Sequence, residues 1–423
     1  MLLSRRVFSN TGKDIVQESY VWNTIAGMLN TFQSVIILMV LTRTNGTFDA
    51  GIFSLGYSTG CLFLAIGNYG MRNFQATDVK CVYSFSDYLT SRIITLTAMI
   101  LASAVYCIKG LVFGGFSYEK SLIVLIICVL KAIEAAEDVY YGMYQSQNRL
   151  DIASKALTVR YLISIVTILI VLIVTKDLLI ACCITLLISI AFAFLLIYVT
   201  IGAFEREKFS VHWKQAWTLL KNTAGVFISG FLSLYIVNAP KYAIDRYLPQ
   251  EQQAYYGFLT MPVFVVSLLN TFLYQPILTS LAVEWGEGKK KEFIDRIQQQ
   301  IVFILFLTLG SLIGAYFLGI PVLSLFYGTD LSPYKTELLI LMSGGGVLAV
   351  TGFLTIVITI IRKQQDLILG YCLVSVIAFF IVPIIVKYFG IIGAAWGYTL
   401  LTLGLAFYFI AIVMRKIRTT LGD

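Results

Sequence analysis

Long apolar runs dominate this chain. A stretch of about 20 apolar residues is enough to cross the hydrocarbon core of a bilayer as a helix. The sequence holds about twelve such stretches, near 20–42, 49–70, 89–109, 119–146, 153–175, 177–203, 217–247, 253–283, 297–318, 334–361, 365–388 and 390–414. Of 423 residues, 58% are hydrophobic and only 13% are charged, about half the charged share of a soluble domain. Too little charge is present to cover a water-facing surface. In lipid each backbone N–H and C=O must find its partner within its own segment or a closed barrel. Apolar runs of this length therefore predict an all-α integral membrane protein, with the bilayer itself as its principal surroundings. The same composition excludes a secreted disulfide scaffold, a nucleic-acid module and a disordered tail.

The formal net charge of +8 fits this class without invoking nucleic acid, because basic residues collect on cytoplasmic connectors. With both termini placed in the cytoplasm, about 22 of the 31 lysines and arginines fall at inner ends and about 8 at outer ends. Arg5, Arg6, Lys13, Arg72, Lys80, Arg92, Arg149, Lys155, Arg160, Arg206 and Lys208 are among the inner group. The polar start through about Ser19 lacks the short apolar core of a cleavable signal. The seven cysteines, Cys61, Cys81, Cys107, Cys128, Cys182, Cys183 and Cys372, are odd in number and scattered. They read as thiols in apolar runs rather than a disulfide framework or zinc site. His212 is the only histidine, so neither a histidine metal cluster nor a Ser/His/Asp arrangement is available. There is no P-loop either. No catalytic residue, metal or cofactor is expected, and the chain does not read as an enzyme.

The charged run Phe204-Glu205-Arg206-Glu207-Lys208 divides the chain. The expected organisation is a six-helix bundle over 1–203, a cytoplasmic connector over 204–216 and a second six-helix bundle over 217–423. A shift of 215 residues superimposes Lys120 on Lys335 and Asp151 on Asp366, a faint internal echo. Parallel six-helix repeats are one transporter architecture. The pairs Gly56/Gly60, Gly310/Gly314 and Gly393/Gly397 have the spacing of close helix packing.

The fourth stretch carries charges where lipid would be expected. At about 100° per residue, Lys131, Glu134, Asp138, Tyr141 and Gln145 fall in an arc of about 80°, with Glu137 just outside it. Ionised groups in hydrocarbon cost at least a few kcal/mol each, so this stripe must face protein or water. Lys131 can pair with Glu134 at i,i+3. One reading is a self-neutralising network that locks helices together. The other is a cavity wall in which three acids around one base attract a proton or cation.

Two further segments stand out. In Asn238-Ala239-Pro240-Lys241-Tyr242, Pro240 lacks a donor and is expected to loosen the seventh helix. Lys241 lies toward its outer end, against the positive-inside pattern, either attracting an anion or pairing with Asp245. The first helix groups Asn23, Asn30, Gln33 and Ser34 on one face; these suit interhelical bonds or hydroxyl-rich ligands. Asn270, Gln275 and Pro276 add polar or bending positions to the eighth. Tyr140 and Tyr141 are candidates for stacking on sugars.

Several motifs together resemble the polysaccharide flippases (Wzx-type transporters of O-antigen and capsule repeat units) of the multidrug/oligosaccharidyl-lipid/polysaccharide exporter (MOP) superfamily. They are Asp49-Ala50-Gly51-Ile52-Phe53-Ser54-Leu55, Tyr69-Gly70-Met71-Arg72-Asn73-Phe74-Gln75, Tyr141-Gly142-Met143-Tyr144-Gln145 with Arg149 through Lys155, Asn238-Ala239-Pro240-Lys241-Tyr242, and Gly390-Ile391-Ile392-Gly393-Ala394-Ala395. The resemblance implies a MATE-like V of two bundles around a central cavity, in a bacterial inner membrane. The implied cargo is an undecaprenyl-pyrophosphate-linked oligosaccharide, moved to the outer leaflet by alternating access. A polysaccharide polymerase and a chain-length regulator are the implied protein partners. On that reading Lys131, Lys241 and Arg72 would meet phosphate, and Asn23, Asn30, Gln33 and Asn238 the sugar. Glu134, Asp138 and Glu137 would couple transport to H+ or Na+. A multidrug extrusion antiporter of the same superfamily is the alternative.

Overall fold

The structure, a computed structural model, describes residues 15–78, 82–202, 204, 210–274 and 277–421. Arg5, Arg6, Lys13, Lys80, Cys81, Arg206, Lys208, Gln275 and Pro276 lie outside the described residues, and no side chain is described at Asn270. The described chain is helical nearly throughout, as an apolar sequence in lipid requires.

The first helices are α1 (Ile15–Asn45), α2 (Thr47–Asn68), the short α3 (Met71–Thr77), α4 (Phe85–Phe113), α5 (Tyr118–Ser146), α6 (Leu150–Thr175) and α7 (Leu178–Ile201). After the connector come α8 (Trp213–Tyr247), α9 (Gln250–Tyr274), α10 (Leu278–Gly286), α11 (Lys290–Gly314), α12 (Ile320–Tyr327), α13 (Lys335–Ile360) and α14 (Gln364–Leu421). A π-helical turn, Ala315–Gly319, joins α11 to α12. Among the described residues, nine helical stretches are long and apolar enough to cross a membrane. The fourth sequence stretch coincides with α5, whereas the eighth, expected as one helix over 253–283, spans α9 and most of α10, with 275 and 276 outside the described residues. The last two share α14, which breaks at Gly390 with φ 64° and ψ −143°.

Local chemistry sets the helix starts. Ser84 and Asp87 form a reciprocal capping box at α4. Ser117 caps α5 by accepting from the Lys120 amide at 3.1 Å, and Asp177 caps α7 by accepting from the Ile180 amide at 2.9 Å. Asn45, in the Asn-Gly-Thr triplet, spends its amide on Asp49 and on the Lys176 carbonyl, both at 2.9 Å.

The chain forms two compact units, divided between Phe231 and Leu232 inside α8. In the first, α5 is the hub: it packs against α2, α3, α4, α6 and α7. Small residues bring α2 onto it. A Cβ at Gly56 would stand 2.7 Å from Ile127, and one at Gly67 would stand 2.8 Å from both Ala135 and Met99. Gly60 leaves room for the stem of Lys131. In the second unit α13 is the hub, against α9, α10, α11 and α14. Its glycines Gly344, Gly345 and Gly346 admit Tyr398, Val263 and Thr308. Gly393 sits against the Ile385 carbonyl, whereas Gly310 and Gly314 have open space where a side chain would begin, so that pair does not mediate close packing.

The 215-residue echo has a structural counterpart. Lys120 at the start of α5 lies over the Phe116 ring, 4.3 Å from its centre, and Lys335 at the start of α13 lies over Tyr316 at 3.7 Å. Asp151 and Asp366 both stand in the first turn of the next helix and take a basic partner, Arg149 at 2.9 Å and Lys363 at 3.6 Å. One difference matters for function. The hub α5 carries Lys131, Glu134, Glu137 and Asp138 midway, while α13 has no charge after Glu337.

Candidate functional site

The charged stripe of α5 lies at the centre of the first unit. Lys131 reaches Glu134 at 2.9 Å, the i,i+3 pair expected from the spacing. Its ammonium also sits 4.7 Å from the centre of the Tyr57 ring on α2. From α6, Tyr161 donates to Glu134 at 2.9 Å and Arg160 approaches the same carboxylate at 3.6 Å. Arg160 makes its nearer ion pair with Glu137, at 2.5 Å. That approach is off the hydrogen-bonding axis, so its strength is electrostatic rather than directional.

A second group surrounds Asp138. Arg92 of α4 donates to it at 2.8 Å and Arg72 of α3 at 3.3 Å. Arg92 is 1% exposed and also donates to the Gly67 carbonyl and, at 3.4 Å, to Asn68. Those carbonyl and amide acceptors are at the C-terminal turn of α2, where the helix dipole favours a cation. Arg72 is more open and donates through Nε to Gln145 at 3.2 Å.

These partners correct the charge balance inferred from α5 alone. Three acids, Glu134, Glu137 and Asp138, meet four bases, Lys131, Arg160, Arg92 and Arg72. The local excess is positive, not negative. Arg92 and Arg160, counted among inner-end charges in the sequence, are buried in the helix packing. Lys155 is buried too and reaches Glu18 of α1 at 2.5 Å. A buried charge without a partner is strongly destabilising, which is why the acids of α5 and the bases of its neighbours face each other.

Beside the first group lies a cavity of about 40 Å³, lined by Gln33, Tyr57, Lys131, Glu134, Arg160 and Thr185 among others. That is room for about two or three water molecules. Two enclosed polar atoms, Oε1 of Gln33 and the hydroxyl of Thr185, have no hydrogen-bond partner in the protein. Their polarity suits the cavity to water rather than to an apolar group.

The remaining sequence candidates are dispersed. Of the polar face on α1, Gln33 reaches the cavity, Ser34 is buried, and Asn23 and Asn30 are exposed. Asn238 and Lys241 belong to the second unit and are buried. The Asn238 amide donates back to Leu234 at 3.0 Å, and α8 continues unbroken through Pro240. Tyr141 is 1% exposed and Tyr140 packs on Phe85. Tyr141 is a core residue rather than an open sugar platform. At the α5–α6 connector, hydrogen bonds to Asp151 raise the pKa of Arg149 above its usual value. His212 is partly exposed and meets Asp87 at 2.9 Å, fastening the start of α8 to the capping box of α4. Among the described residues no cluster of metal-binding side chains is found, and Cys61, Cys107, Cys128, Cys182, Cys183 and Cys372 are free thiols.

Sequence reasoning missed Arg92, Arg160, Tyr57, Tyr161 and Thr185 as members of the site. Arg92 and Arg160 carried a signal, since each falls inside an apolar stretch that it interrupts.

No family model matches the chain. A capsular polysaccharide biosynthesis protein of Staphylococcus aureus, CapF, is 24% identical over 391 residues, covering 89% of this chain and 93% of that protein. Among solved structures, the lipid II flippase MurJ in an inward closed conformation aligns with a TM-score of 0.71 at 17% identity, over 94% of this chain and 90% of its own. A MATE-family multidrug resistance transporter of the MOP superfamily, inward-facing, aligns at 0.66 and 12% identity, over 96% and 98%. The MATE multidrug transporter DinF-BH aligns at 0.65 and 11% identity, over 97% of both chains. The chain thus has the all-α, multi-pass membrane fold of the MOP-superfamily transporters, as the sequence motifs implied.

Proposed function

We propose that this protein flips a polyprenyl-pyrophosphate-linked oligosaccharide from the cytoplasmic to the outer leaflet of a bacterial plasma membrane, for assembly of a surface polysaccharide. The observation that carries this reading is the relation to CapF over nearly the full length of both chains. The likeness to MurJ, a flippase of lipid II by its name, adds a fold suited to a lipid-linked headgroup. The protein is a transporter, not an enzyme, and the energetic problem it solves is solvation. A pyrophosphate and its sugars cannot cross hydrocarbon unaided, because burying bare charge and unpaired hydroxyls is prohibitive.

The charge balance favours this cargo over an organic cation. Four bases against three acids around α5 suit an anionic headgroup, so a multidrug antiporter is the weaker alternative. Lys131 and Arg72 in the first unit and Lys241 in the second are the proposed phosphate-meeting cations. Gln33, Asn23, Asn30 and Asn238 are the proposed sugar-meeting amides. In this state the cavity beside Lys131 admits water only, so cargo contact there requires α2, α5 and α6 to part.

Coupling to H+ or Na+ would act through the acids of the same network. A proton on Glu134 would weaken its hold on Lys131 and Arg160 and release them toward an anion. Glu137 and Asp138 stand in the same relation to Arg160 and to Arg72. A polysaccharide polymerase and a chain-length regulator are the proposed partners in assembly.

The test is deletion of the gene in a strain with no second flippase. Surface display of one glycan should stop while its lipid-linked repeats accumulate inside, and the wild-type gene should restore display. Normal display in the deletion strain would overturn the assignment.

A further inference from the structure

The second unit holds a basic pocket that no part of the proposed transport cycle uses. Its volume is about 380 Å³, and its lining includes Lys363, Asp366, Tyr408, Ile412, Arg415 and Lys416. Two parts of α14 that are distant in sequence build it. Residues 363–366 begin the first arm, the chain breaks at Gly390, and residues 408–416 close the second arm. A tight turn with Arg362 at φ 57° sets Lys363 at the mouth. Gly370 lets the second arm come close: a Cβ there would lie 2.6 Å from the Tyr408 ring.

The chemistry of the lining is divided. Three cations face one acid, and that acid, Asp366, is 3.6 Å from Lys363. The floor is a tyrosine ring and aliphatic side chains. The pocket also stands at the ends of both arms' apolar stretches, the part of a spanning helix that meets headgroups. Among the described lining residues cations outnumber acids over an apolar floor, which matches one class of ligand: a phosphate diester whose attached chains remain in hydrocarbon. Basic pockets between membrane helices bind anionic headgroups in this way.

We propose that this pocket is a binding site for an anionic glycerophospholipid of the surrounding bilayer, with the phosphate between Arg415, Lys416 and Lys363 and the glycerol against Tyr408. The lipid would hold the two arms of α14 together at their open end, and so stabilise the second unit. The site does not depend on the identity of the cargo.

The experiment is thermal unfolding of the purified full chain in detergent, titrated with phosphatidylglycerol or phosphatidylcholine. Phosphatidylglycerol should raise the midpoint and phosphatidylcholine should not. In the R415Q/K416Q variant the lipid concentration giving half the rise should increase by about tenfold or more. A charge-matched control remote in sequence, K289Q/K290Q, should respond like the wild type. Should R415Q/K416Q fail to fold, K363Q gives the same test with a smaller shift. Equal responses to the two lipids, or an unchanged response in the variants, would overturn the proposal. So would a rise reproduced by inorganic phosphate alone, or by a short prenyl diphosphate but not phosphatidylglycerol, since the pocket would then serve free phosphate or the cargo.

Discussion

Asp138 on α5 accepts a 2.8 Å hydrogen bond from Arg92 on α4, joining two helices through a guanidinium that is almost wholly enclosed. Arg92 also holds the C-terminal turn of α2 through Gly67, so one side chain ties three helices. Removing the Asp138 carboxylate strands the Arg92 charge. Asp138→Ala should cost about 3–5 kcal/mol, and Asp138→Asn less, because the amide oxygen still accepts. Thermal unfolding in detergent should rank wild type above Asn and Asn above Ala. An Ala variant as stable as wild type would show that Asp138 does not hold this junction.

Lys131 and Glu134 should be energetically coupled. In a double-mutant cycle of Lys131→Ala and Glu134→Ala, the double variant should be more stable than the sum of the single losses by about 0.5–3 kcal/mol. Strict additivity would mean that the 2.9 Å pair is incidental to the fold.

Two glycines should behave oppositely when replaced. Gly67→Ala places a methyl 2.8 Å from Ala135 and Met99 and should destabilise by about 1–3 kcal/mol, as overpacking does. Gly310→Ala meets open space and should be neutral or stabilising by up to about 1 kcal/mol, the usual gain over glycine in a helix. Expression level and unfolding midpoint of the two variants distinguish these outcomes.

These contrasts show what could be read from the sequence and what could not. Helical periodicity placed Lys131, Glu134 and Asp138 on one face, because that depends on local geometry alone. That a stripe so polar must face protein or water followed as well, but that α5 would be the hub of its unit did not. The partners from α4 and α6 were legible only as charges that interrupt apolar stretches, not as partners of particular acids. Arg92 and Arg160 lie near the ends of apolar stretches, where an arginine that reaches water and one that reaches a buried acid have the same local sequence. Gln33 was separated from Asn23 and Asn30 by which turn of α1 packs inward, a tertiary fact. The absence of a close contact at Gly310 and Gly314 has the same origin, since spacing permits an approach without supplying a partner.

Transport itself should respond to charge in the network. Lys131→Gln and Arg72→Gln should insert normally yet translocate cargo at least about tenfold more slowly, if each loses about 1.4 kcal/mol or more of headgroup stabilisation. Glu134→Gln should lose dependence on the ion gradient. Rates compared with and without an imposed gradient, normalised to inserted protein, test both. Wild-type rates in both lysine and arginine variants would remove the cationic headgroup site, and an unchanged gradient response would remove Glu134 from coupling.

The most direct measurement is translocation in sealed vesicles containing only this protein and a fluorescent polyprenyl-pyrophosphate oligosaccharide. The fraction of headgroup open to a membrane-impermeant lectin or glycosidase reports which leaflet it occupies. The expected result is transfer between leaflets that requires the protein and is slowed by Lys131→Gln. Transfer no faster than in protein-free vesicles, across all imposed gradients, would contradict the proposed flippase activity.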